Sequence, residues 1–108
     1  MNMPYSFLEN LQTTLSIPKD GTLSRTVYQD EQVKAVLFGF DAGQELSEHT
    51  ASVPAIIQII SGQASITLGS EKLEVDAGAW IHMDAKLSHA IRAKTPLVML
   101  LLMLKSSA

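Results

Sequence analysis

Pro54–Met83, PAIIQIISGQASITLGSEKLEVDAGAWIHM, is the stretch whose reading decides the fold. Pro54–Ile60 is dense in β-branched residues, which suit a pleated, half-buried strand. It stops at Ser61-Gly62. Ala64–Leu68 (ASITL) follows, then the Gly69-Ser70 turn, then Lys72–Val75. Asp76-Ala77-Gly78 turns the chain into Ala79–Met83 (AWIHM). Short apolar or alternating segments, punctuated by glycine-bearing turns at roughly 8–12 residue spacing, are the signature of an all-β sandwich or barrel.

The same rhythm extends both ways. Upstream, Ser24–Gln29 and Val33–Asp41 read as strands separated by Asp30-Glu31. Ala42-Gly43-Gln44 is a turn, and Leu46–Ala51 a short polar strand carrying His49. Downstream, the Asp84–Leu87 loop leads to Ser88–Lys94, and after Thr95-Pro96 comes a last strand, Leu97–Leu104. Its sequence, LVMLLLML, does not alternate, so both of its faces must be covered. That makes it a central strand, or one packed between the core and a second subunit. Thr14–Gly21, broken by Pro18 and Gly21, reads as a connector. Ser6–Leu11 reads as one helical turn or a short arm.

Composition narrows the class. The chain has 108 residues, 46% of them hydrophobic, and a formal net charge of −3. That fits one domain over 1–108, with an N-terminal arm and connector over 1–21 and a barrel over 22–104. No basic cluster appears, so nucleic acid and anionic membrane are not expected partners. There is no cysteine, hence no disulfide and no thiolate ligand or nucleophile. Met1–Leu11 lacks the basic and apolar regions of a signal peptide. The expected location is the cytoplasm.

The glycines and histidines carry a resemblance. Gly43, five residues and His49 match the start of the first cupin motif, G-x5-H-x-H-x(3,4)-E-x6-G, and Gly62 matches its close. Gly78 and His89 match the second, G-x5-P-x-G-x2-H-x3-N. Over Gly43–Ile91 the chain resembles the cupins, which implies a double-stranded β-helix, or jelly-roll, barrel with an interior pocket. The departures are as informative. Ala51 stands at the second histidine of H-x-H, and Ala55 at the glutamate. Asp84, Lys86 and Ala93 stand at the proline, glycine and asparagine of the second motif. Of four usual metal ligands, His49 and His89 remain.

Side chains alternate along a strand. With His49 inward, Ala51 is inward too. Ala55, Ile57 and Ile59 share the inner face, and Gln58 the outer. Ile81 and Met83 point in, Trp80 and His82 out. The expected ligand pocket is therefore His49, Ala51, Ala55, Ile57, Met83 and His89. Glu48 is expected at the surface, and Asp84 and Lys86 in solvent at the barrel mouth. Two imidazoles form an incomplete shell for a divalent metal; nickel, zinc, iron and manganese all remain open.

The favoured reading is a small molecule bound in the pocket without turnover. The alternative is an enzyme, either a metal-dependent dioxygenase-like cupin or an isomerase or lyase using His49 and His89. An interaction module with a vestigial pocket is the third option. A homodimer is expected, because the outer sides of Leu97–Leu104 and Pro54–Ile60 would otherwise leave a large apolar patch in water.

Overall fold

A computed structural model of the chain describes residues 4–105. Its strands are β1 (Thr22–Gln29), β2 (Val33–Phe40), β3 (Glu45–His49), β4 (Ala55–Ser61) and β5 (Gln63–Leu68), followed by β6 (Glu71–Asp76), β7 (Trp80–Met83), β8 (His89–Ala93) and β9 (Leu97–Leu104). They form a five-stranded sheet in the order β1-β2-β9-β4-β7 and a four-stranded sheet in the order β3-β8-β5-β6. Every pairing in both sheets is antiparallel. This is the all-β architecture that the turn rhythm implies, in the jelly-roll form that the cupin resemblance implies. No described helix is long and apolar enough to cross a membrane.

β9 is central, flanked by β2 and β4, which accounts for its unbroken apolar sequence. Leu97 and Met99 enter the main core between the sheets. That core joins Phe40, Ala55, Ile57, Ile59 and Met83 of the large sheet to Ala64, Ile66, Ile91 and Ala93 of the small one. The alternate residues of β9, Val98 and Leu100, point the other way into a second cluster with Leu37, Ala35 and Leu15.

Leu15 explains what covers the outer face. The connector before β1 lies across that face, with Leu15 buried and Leu11 and Ile17 packed beside it. Gly39 of β2 allows the approach: a Cβ there would sit 2.6 Å from a Leu15 methyl and 3.1 Å from Ile17. Over β2 and β9 the chain thus covers its own sheet, and a second subunit is not needed there. The helical turn also lies later than its sequence position suggests. It is a 3-10 turn at Leu11–Thr13, where the Asn10 side chain accepts from the Gln12 amide. Asparagine favours that capping position, and Ser6–Leu11 is instead mostly an arm, with Phe7 78% exposed.

Two left-handed backbone positions frame the barrel. Gly62 (φ +92°) links β4 to β5, and a Cβ there would lie 2.2 Å from the Pro96 carbonyl oxygen. Lys86 adopts φ +70° where the cupin motif has glycine; its amide donates to the Ala51 carbonyl at 2.7 Å. The backbone geometry of the motif is thus kept without its residue, at a steric cost of about 1 kcal/mol. Urea unfolding should show Gly62→Ala destabilised by at least about 2 kcal/mol, through both strain and overlap. Lys86→Gly should be more stable than the parent by about 0.5–1 kcal/mol. Loss of stability in that variant would show that the Lys86 side chain matters more than its backbone.

Candidate functional site

A single extra residue places the first histidine. Leu46 of β3 opposes Ile91 of β8, and His49 opposes His89, so three steps on β3 match two on β8. This bulge resets the alternation. Without it, Leu46 packed inward would send His49 outward. With it, His49 faces the same side as His89, and Glu48 is turned to the outside, where it accepts from the Ser88 hydroxyl.

On β8 the burial pattern leaves no ambiguity. His89, Ile91 and Ala93 are buried while Ala90 and Arg92 are not, so His89 faces the interior with 4% exposure. His49 is exposed at the lip. The two ring centroids are 4.2 Å apart, with the planes tilted by 58°. Each ring is oriented by its own backbone. His49 Nδ1 lies 2.8 Å from the Ser47 carbonyl and His89 Nδ1 2.9 Å from the Leu87 carbonyl. A carbonyl oxygen only accepts, so both Nδ1 atoms are donors. In the neutral rings both Nε2 atoms are then bare acceptors.

Connectivity brings the other expected residues to the same end of the barrel. β3 ends at His49 and β4 begins at Ala55; β7 ends at Met83 and β8 begins at His89. The two intervening loops are joined by the Lys86–Ala51 hydrogen bond. Ala55, Ile57 and Met83 lie on the inner face, buried at 2%, 0% and 2% within the main core. Ala51 is half-buried and lies beyond the end of β3, in the loop. Trp80 and His82 point outward, His82 standing 4.0 Å from Asp84.

The opposite face of the small sheet holds a groove of about 330 Å³, lined among others by Glu45, Glu48, Ser65, Thr67, Lys72 and Arg92. Small residues on β5 and β8 form its floor, and the bulged segment of β3 forms one wall. Its neighbour Glu74 is bonded to Ser65 of the groove and to Lys94. Lys94 and the Ser65 hydroxyl hold that carboxyl below the usual carboxylate range. The groove is separate from the histidine pair, which lies on the inner side of the same strands.

The donor set does not complete a metal shell. Among the described residues no three histidine, cysteine, aspartate or glutamate side chains cluster. Structural zinc takes four protein ligands and catalytic zinc three, whereas this mouth supplies two imidazoles. Ala55, at the glutamate position, removes the carboxylate that would offset a divalent charge.

One mouth residue escaped the sequence reading. Lys34 opposes Met103, Met103 opposes Ala55, and Ala55 opposes Met83. Directly opposed residues in an antiparallel pair share a face, so Lys34 is inward and half-buried. In sequence it opens the strand VKAVLFGF. Its signal was parity with Phe38 and Phe40, which stack on the inner side with centroids 5.8 Å apart.

Comparison with known proteins agrees with this architecture. No protein-family model matches the chain, and no curated protein matches it. Among solved structures, SPY1581, a conserved protein of unknown function from Streptococcus pyogenes, is 33% identical. The match covers 100% of this chain and 95% of that one, with a TM-score of 0.86. A cupin superfamily protein from Desulfitobacterium hafniense is 25% identical over 98% of this chain and 97% of that one, also with a TM-score of 0.86. KdgF from a Halomonas species shares the fold at 22% identity and a TM-score of 0.77, over 95% of this chain and 96% of its own. With the barrel, its motif glycines and the facing histidines in place, the chain has the cupin fold and resembles the small cupin-superfamily proteins.

Proposed function

We propose that this cupin-fold protein binds a small molecule at the barrel mouth through His49 and His89, without a resident metal. The observation that supports the reading is the pair of rings 4.2 Å apart, each with Nδ1 committed to a backbone carbonyl. Both Nε2 lone pairs are left for a ligand. Two fixed acceptors suit hydroxyl or protonated acid groups. Preset rings lose little freedom on binding, which favours affinity.

The same pair favours a second reading, acid–base chemistry on a bound molecule. An imidazole with a fixed tautomer accepts a proton at Nε2 and returns it there. The two readings part on turnover: a ligand recovered unchanged supports binding alone, and consumption supports catalysis.

A second copy of the chain is proposed for the uncovered part of the large sheet. The outer sides of β4 and β7 present Ile56, Gln58, Trp80 and His82, and no fixed charge. Trp80 is 60% exposed, and the arm adds Tyr5 at 66% and Phe7 at 78%. These three aromatics expose on the order of 400 Å² per protomer, about half of one side of a standard interface. An uncharged surface places no like charges opposite one another under two-fold symmetry.

A thermal-shift screen of small hydroxylated compounds should yield saturable stabilisation. His89→Ala should weaken any hit about tenfold, the worth of one hydrogen bond, and unchanged affinity would contradict the site. Light scattering at micromolar concentration should give twice the monomer mass; a monomer mass would remove the proposed interface.

A further inference from the structure

We propose that the ligand of this mouth is a hydroxy-carboxylate: its hydroxyl donates to a histidine Nε2, and its carboxylate is held by Lys34. This rests on the binding reading above and names the chemistry it selects.

The case begins with topology. β2 starts at Val33 at the mouth and runs away from it. The chain turns at Asp41–Gln44, and β3 returns to end at His49. Lys34 and His49 therefore stand at the same end of the barrel, on strands of opposite sheets. Lys34 and the two imidazoles thus face the interior at the same end of the barrel from opposite sheets.

Charge is the second argument. Lys34 is half-buried on an inward-facing row. Among the described residues it forms no ion pair; the ones present join Lys94 to Glu74 and His82 to Asp84. Its own row continues through Met103, Ala55 and Met83. The cupin motif places a carboxylate at position 55, and this chain has a methyl group there. An ammonium drawn partly out of water and facing no carboxylate attracts an anion and repels a divalent cation.

The histidines set the rest of the ligand. A bare Nε2 accepts and would repel a carboxylate oxygen, but it takes a hydroxyl proton readily. A molecule carrying both groups satisfies both sides of the mouth. A simple anion satisfies only Lys34, and a neutral alcohol only the histidines.

The test uses three matched probes, 3-hydroxybutyrate, 3-hydroxybutyramide and butyrate, titrated to their solubility limits while the imidazole NMR signals of His49 and His89 are followed. The parent protein should show saturable shifts with 3-hydroxybutyrate. Binding should be roughly tenfold weaker for the amide, which lacks the charge, and for butyrate, which lacks the hydroxyl. Lys34→Met, close in volume and expected to melt as the parent does, should weaken the hydroxy acid to the level of its amide. If amide and acid bind alike, or Lys34→Met changes nothing, the charge assignment fails while the histidine pocket stands. If no probe moves either ring, both fail together.

Discussion

Everything in this barrel hangs on a strand with two buried faces. β9 sits between β2 and β4, with Leu97 and Met99 in the interior core and Val98 and Leu100 in the outer cluster. Such a strand cannot alternate apolar and polar residues, and it needs a cover on each side. The small sheet supplies one cover and the connector bearing Leu15 the other. The second is possible because Gly39 has no side chain to hold the connector off. The site depends on this arrangement indirectly: with β9 locked in register, the neighbouring starts of β2 and β4 are fixed at one end of the barrel.

Much of the fold was legible in the residues because turns and strands have local causes. Gly43, Gly62, Gly69 and Gly78 all adopt positive φ, so the punctuation that marked strand ends reports a backbone requirement. The inward parity of Ala55, Ile57 and Met83 followed from alternation alone. What was not legible depends on long-range geometry. Whether LVMLLLML was covered by its own chain or by a partner turns on the connector's path across the sheet. No local pattern records that path, although Leu15, Ile17 and Gly39 carry it jointly.

The site was half legible. Motif spacing found His49 and His89, but the reason both face inward is a bulge between Leu46 and His49, and strict alternation from Leu46 would have reversed the answer. Lys34 was overlooked although it shares parity with Phe38 and Phe40, because its place on the Ala55 row comes from a register across four strands. Lys86 shows the converse. The residue departs from the cupin pattern while its φ of +70° keeps it, so sequence difference there overstated structural difference.

The account turns on the histidine tautomers, since bare Nε2 acceptors set the kind of ligand proposed, while the missing donors at Ala51 and Ala55 leave the metal shell incomplete. Long-range proton–nitrogen correlation spectra of the two imidazoles, recorded at alkaline pH, test this directly. Both rings should carry their proton on Nδ1 and show an unprotonated Nε2. A proton on Nε2 in either ring would mean that the backbone carbonyls of Ser47 and Leu87 do not orient the pair, and would contradict the account.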